Sequence, residues 1–128
     1  MDAAAAARRW VETWERAWPV GDVEALASVY ADDAVFYSHP FRERERPRDY
    51  VTRAFAEQAL AICRFGEPIV DDDRAAVDWW AVLTAPDGAE ETIAGTSLLR
   101  FGGGGRVVEQ RDAWATEPGS RDLPDWAR

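Results

Sequence analysis

The chain has 128 residues and a mass of 14.3 kDa, the size of one domain and too short for two. Fifteen basic against 24 acidic residues leave a net charge of −9 and a pI near 4.6. That balance argues against nucleic acid and against anionic membrane surfaces, both of which select a positive field. A hydrophobic share of 47% excludes a disordered chain, and no apolar run approaches the ~20 residues of a membrane span. The start, MDAAAAARRW, lacks the basic segment and long apolar core of a secretory leader, so the expected location is cytoplasmic. Every basic residue is Arg, which excludes lysine Schiff-base chemistry, and 23 Ala with no Lys or Asn suggest a GC-rich bacterial genome. One Cys and one His cannot build a Cys/His zinc site, an intramolecular disulfide or a Cys–His–Asn triad. No metal and no cofactor are therefore expected.

Trp10, Trp14 and Trp18 recur at four-residue spacing, with charged residues on the opposite face, and predict an amphipathic helix stopped by Pro19 and Gly21. Asp22 is placed to cap a second short helix, with Val23, Leu26, Val29 and Tyr30 as its apolar face. Asp32 and Asp33 close it, and Ala34–Tyr37 reads as a short strand. After the loop SHPFRERER, Pro47 opens a third helix from about Arg48 to Gln58, burying Val51, Ala54 and Phe55. The period then becomes extended. Ala61–Val70 predicts a strand bulged at Gly66 and Pro68. Arg74–Thr84 and Glu90–Phe101 predict two more, joined by the turn Pro86-Asp87-Gly88. Gly102–Gly105 turns the chain into a last strand, Arg106–Ala115. Residues 1–116 read as one domain and 117–128 as a polar tail across the surface.

Helices grouped ahead of an antiparallel meander define an α+β domain. Three helices across a strongly curved, mostly antiparallel sheet enclose a conical pocket suited to a small apolar molecule with a few polar groups. Seven Trp favour an aromatic lining.

Two residues stand out as chemistry. His39, between Ser38 and Pro40 just past a strand end, can point into a cavity, and histidine is the side-chain type suited to acid/base work at neutral pH; the plainer role is a loop histidine satisfying backbone groups. In VVEQRDAW, period two places Val108, Gln110, Asp112 and Trp114 on one face. An aspartate in a core strand either pairs with an Arg or titrates with a raised pKa. Asp78 in AVDWW is the same problem with weaker context, since either Trp79 or Trp80 can face inward. Arg42, Arg44, Arg46 and Arg48, interleaved with Glu43 and Glu45, read as a solvated, self-paired loop. Asp71–Asp73 read as a turn, and the four-glycine run lacks the helix and the Lys of a phosphate loop.

The strings GDVEALASVYADDAVFYSHPF and GRVVEQRDAW, with this order of elements, resemble the nuclear transport factor 2-like superfamily and within it the SnoaL-like group, over about residues 8–116. The resemblance implies the conical fold. It also implies a choice of chemistries. Related ketosteroid isomerases carry an aspartate base where His39 stands, and their oxyanion-hole residues fall on Trp14 and Ser97, so that chemistry is not expected. Scytalone dehydratase-like sites need a second His, and limonene epoxide hydrolase-like sites need an R-x-D pair that is absent. SnoaL-like polyketide cyclases use a last-strand aspartate as acid/base, and Asp112 matches it.

The resulting expectation is a cofactor-free acid/base enzyme (isomerase, cyclase or lyase) acting on a small apolar carbonyl compound, with His39 and Asp112 catalytic. Trp14, Tyr30, Phe36, Phe41, Trp80, Ser97, Gln110 and Trp114 would form the binding wall. The resemblance adds a homodimer through the outer sheet face. The competing expectation is a non-catalytic module of the same fold that binds a hydrophobic ligand or only dimerises.

Overall fold

In the computed structural model, which describes residues 2–128, the Asp2 carboxylate accepts the N–H of Ala5 at 2.8 Å and starts α1 (Ala3–Ala17). The tryptophan repeat fixes which face of α1 is buried. Ring centroids of Trp10 and Trp14 lie 5.9 Å apart and those of Trp14 and Trp18 5.5 Å, so one aromatic ridge runs the length of the helix. Gly21 turns the chain at φ 68°, and Asp22 caps α2 (Val23–Ala27) by accepting the N–H of Ala25 at 3.0 Å. α2 is shorter than the apolar spacing suggests. Tyr30 does not extend its face but opens β1 (Tyr30–Tyr37). Pro47 occupies the first turn of α3 (Pro47–Ala56), where its missing N–H has no partner to lose.

The rest is sheet: β2 (Leu60–Phe65), β3 (Ile69–Asp71), β4 (Arg74–Thr84), β5 (Glu90–Phe101) and β6 (Val107–Pro118). The order is β1-β6-β5-β4-β2, with β3 also on β4. All pairings are antiparallel except β1 with β6, which is parallel and sets Phe36 opposite Gln110. β1 is therefore an edge laid beside the last strand, outside the meander. The expected strand Ala61–Val70 is split in two at residues 66–68, where the Gly66 N–H still reaches the Asp78 carbonyl at 2.8 Å. Trp126 from the tail lies 3.4 Å from the point where a Cβ on Gly66 would sit, so the break is covered by the chain end. β6 also runs past the expected strand end at Ala115 and into the expected tail, to Pro118.

One irregularity decides the site. Arg100 pairs with Glu109 but Phe101 with Val107, so Val108 is an extra residue in β6. The bulge switches the face on which side chains fall. Val107, fully buried, rather than Val108 joins Gln110 and Asp112 on the concave, helix-covered face.

Candidate functional site

The β4–β5 hairpin transmits that parity across the sheet. Its turn pairs Thr84 with Glu90, which sets Val77 opposite Ser97 and Trp79 opposite Gly95; β6 continues the row with Asp112 opposite Ser97. Ser97, Asp112 and Trp79 thus meet on the inner face. Trp80 falls on the outer face, in a groove with Ile62, Arg64, Val82 and Leu123. That corrects the expectation for Trp80: Trp79 is the inward tryptophan.

The polar groups on this face form one chain of hydrogen bonds. Ser97 Oγ donates to Asp112 Oδ1 at 2.6 Å and accepts the Trp79 indole N–H at 2.9 Å. Gln110 Nε2 donates to the same Oδ1 at 3.0 Å. Gln110 Oε1 accepts from the Tyr30 hydroxyl at 2.5 Å and from the Trp10 indole at 3.2 Å. Tyr30 in turn accepts the Trp10 and Trp14 N–H groups at 3.2 and 3.1 Å. α1 thereby sets the orientation of the Gln110 amide, and the amide sets that of the carboxyl.

Asp112 is buried among neutral donors and has no cationic partner among the described residues. Burial disfavours its charged form and outweighs the Ser97 and Gln110 bonds, which favour it; the carboxyl is pushed up to about 7. It can hold or release a proton at neutral pH. Burial also raises the Tyr30 hydroxyl far above its ordinary value, so it remains a donor. Ser97 has no histidine to deprotonate it and serves as a donor to the carboxylate, not as a nucleophile.

Two connected spaces lie along this wall. The inner cavity, about 80 Å³, is bounded by Trp10, Trp14 and Trp18 of α1, Phe55, Phe65 and Trp79, with Ser97 and Gln110 as its polar floor. An open funnel of about 710 Å³ continues outward past Trp114, Arg42 and Arg53. Tyr50, Ala54, Gln58, Leu83 and Ile93 border both. Asp112 lies between Gln110 and Trp114 on β6 but borders neither space; the groove it lines is the one shared with His39. Gly95 is what lets Trp79 and Trp114 converge: a Cβ there would stand 2.6 Å from the Ala113 carbonyl oxygen and 2.8 Å from Trp79.

The remaining expected site residues divide. Trp14, Ser97 and Gln110 line the inner cavity and Trp114 the funnel. Tyr30 is buried behind the lining, in the hydrogen-bond chain. Phe36 is also fully buried behind it, stacked on Tyr50 at 4.7 Å. Phe41 is 93% exposed and walls nothing, because its loop turns outward. His39 is not brought to the Asp112 carboxyl by any hydrogen bond. Its Nδ1 accepts the Phe41 N–H at 3.3 Å and its ring packs edge-on against Trp114 at 4.9 Å, beside a groove that Tyr37, Pro40, Arg111 and Asp112 itself also line. Asp78 is exposed on the outer face and accepts from Thr96 at 2.7 Å. In the arginine loop Arg48 forks onto Glu24 at 2.6 and 3.1 Å, Arg53 onto Glu45, and Arg42 lies 5.4 Å over the Trp114 ring. Asp72, at φ 59°, forms the β3–β4 turn.

Sequence reading missed Tyr50, Gln58, Trp79, Leu83 and Ile93. Trp79 was legible from the hairpin turn, which fixes its parity relative to Ser97. Tyr50 was legible as the residue one turn before Ala54. Nothing local marks Gln58, which follows α3 and pairs with Trp18 at 3.0 Å only in the folded chain.

Comparison with known proteins agrees with this architecture. An NTF2-like protein of unknown function from Exiguobacterium sp. 255-15 superposes with a TM-score of 0.69 at 15% identity, over 91% of this chain and 99% of that one. The epoxide hydrolase/cyclase-like enzyme SalBIII, with a role in pyran ring formation in the polyether salinomycin, gives 0.72 at 18%, over 84% and 89%. At such identities the likeness is one of fold. No curated protein sequence matches the chain. Among the described residues no helix is long and apolar enough to cross a membrane. The sequence profile of the SnoaL-like domain matches residues 7–110, the span that supplies both the helical ridge and the start of the strand carrying Asp112, and the chain belongs to that family.

Proposed function

We propose that the protein is a cofactor-free acid/base catalyst acting on a small, largely apolar carbonyl compound, with Asp112 as the proton carrier. One observation carries the reading: a buried carboxyl without a counter-cation, held by Ser97 and Gln110, the two neutral donors that form the polar floor of an aromatic cavity. The Asp112 carboxylate would remove a proton from the carbon next to the carbonyl, becoming the neutral acid and leaving an enolate. Where a C=C adjoins the enolate, the same proton can return to the far carbon of that conjugated system (isomerisation). The enolate can instead attack a second carbonyl (cyclisation) or expel a β-substituent (elimination). Ser97 and Gln110 orient Oδ1, and both of these bonds strengthen as the carboxyl ionises. His39 packs on Trp114 and lines one groove with Asp112, which keeps it in the scheme as the second candidate acid/base. A cytoplasmic homodimer remains part of the reading: Leu60, Ile62 and Leu98 are exposed on the outer sheet face, and a monomer by analytical ultracentrifugation would remove it.

The test uses isovalerophenone and a panel of related ketones in D₂O, with loss of the α-proton signal followed by NMR. Wild type should accelerate exchange of at least one ketone, and Asp112→Asn should lose that acceleration by roughly 100-fold or more. A second reading, a non-catalytic binder of apolar ligands, is favoured by one detail. Ser97 and Gln110, not Asp112, border the inner cavity. Ketone binding detected by tryptophan quenching without any exchange would select that reading.

A further inference from the structure

Among the described residues Tyr50 is the one hydroxyl that borders both the inner cavity and the funnel. α3 positions it, and its ring is fixed on both sides, stacked on Phe36 at 4.7 Å and 22° and with the Arg53 guanidinium 5.6 Å from its centroid. Among the described residues its hydroxyl makes no hydrogen bond, and it is not sealed from solvent as the orphaned Arg9 and Trp80 nitrogens are. Every other polar side chain of the inner cavity is already engaged. Ser97 and Gln110 serve Asp112, Gln58 serves Trp18 through both ends of its amide (3.0 and 2.7 Å), and the indoles of Trp10, Trp14, Trp18 and Trp79 all donate inside the protein. A ring held so firmly with a free donor at a constriction is the arrangement expected of a ligand-orienting group. Burial, and next the charge of Asp112, push this hydroxyl up to about 12, so it stays protonated at neutral pH.

The two spaces add a size constraint. The inner cavity of about 80 Å³ is smaller than the ~150 Å³ that accommodates benzene. It suits a short branched alkyl arm and not a ring system. The funnel, about 710 Å³, has room for the remainder of a larger molecule. Its lining includes Arg42, which lies over Trp114, Arg53, and the carboxylates of Glu57, Glu90 and Glu91.

Resting on the proposed carbonyl chemistry, we infer that the Tyr50 hydroxyl donates to the ligand's carbonyl oxygen at the throat. The ligand class is then a ketone with a short apolar arm directed into the inner cavity and its bulk in the funnel. In this pose the carbon next to the carbonyl lies toward Ser97 and Gln110, the two residues that hold the Asp112 carboxyl, and the same donor would stabilise the oxygen as negative charge develops on it.

The experiment compares isovalerophenone with 3-methylbutylbenzene, which has the same skeleton with the carbonyl replaced by a methylene. Binding is read by quenching of tryptophan fluorescence, and α-proton exchange by NMR in D₂O. Wild type should bind the ketone at least 5-fold tighter than the hydrocarbon. Tyr50→Phe keeps the stack on Phe36 and removes only the hydroxyl. It should bind the hydrocarbon unchanged, lose the ketone preference, and slow exchange at saturating ketone by 10-fold or more. A ketone preference absent in wild type, or intact in Tyr50→Phe, overturns the inference. If Asp112→Asn abolishes exchange while Tyr50→Phe leaves both preference and rate unchanged, the inference fails and the acid/base reading stands. If Tyr50→Phe loses the preference but wild type exchanges no protons, the donor assignment stands and the catalytic reading fails.

Discussion

Replacing Asp112 by Asn should stabilise the protein, and by an amount that depends on pH in a defined way. The carboxyl titrates near 3.8 in the unfolded chain and near 7 in the folded one. Between those values the folded chain binds more protons than the unfolded chain, so stability falls as pH rises through the window. Each pH unit costs about 1.4 kcal/mol, giving about 4 kcal/mol lost by pH 8 relative to pH 3. Asn presents an oxygen to the same Ser97 and Gln110 donors and never ionises. The stability difference between variant and wild type should therefore be flat below about pH 4 and grow in favour of the variant up to about pH 7. It should be level again above that. For a chain of this length, at about 3–5 °C per kcal/mol, the melting temperatures should separate by more than about 10 °C at pH 8 relative to their separation at pH 4. Paired thermal melts across pH 4–8 measure this directly. A pH-independent difference would refute the burial argument. A variant less stable than wild type at pH 8 by about 3–5 kcal/mol would instead show a carboxylate held by partners that stabilise its charge.

Other expectations follow from the same wall. If Asp112 acts as the base, kcat/KM for ketone exchange should rise with pH and level off above about 7; a rate that falls through that range would make the neutral acid the working form. Tyr30→Phe removes the acceptor of the Trp14 indole and should cost about 1–3 kcal/mol in denaturant titrations, with no effect if water restores the bond. Gly95→Ala puts a methyl against backbone and two tryptophans and should destabilise by about 1–3 kcal/mol while weakening ligand binding. Cys63 is buried and its thiol is pushed up to about 12, so a disulfide reagent at pH 8 should label it only in denaturant.

Much of this architecture follows from local chemistry. The Trp10–Trp14–Trp18 spacing, the Asp22 cap, Pro47 and the Pro86-Asp87-Gly88 turn each act over a few residues, so the helices and the two long central strands could be read from the chain alone. Asp112 could also be singled out, because a charge within an apolar alternation is anomalous wherever the strand ends up. What the chain alone left open were relations between distant segments. The parallel seat of β1 beside β6, the Val108 bulge and the covering of Gly66 by Trp126 depend on which strand meets which, and short-range propensity does not encode that. The site residues follow the same division. Trp14, Gln110 and Trp114 lie on the faces that helix and strand periods assign them, whereas Ser97, expected only from the family resemblance, reaches the same wall through the β4–β5–β6 register. Phe41 and His39 sit in an irregular loop with no period to constrain their direction, and only packing against Trp114 and the open solvent decided where they point.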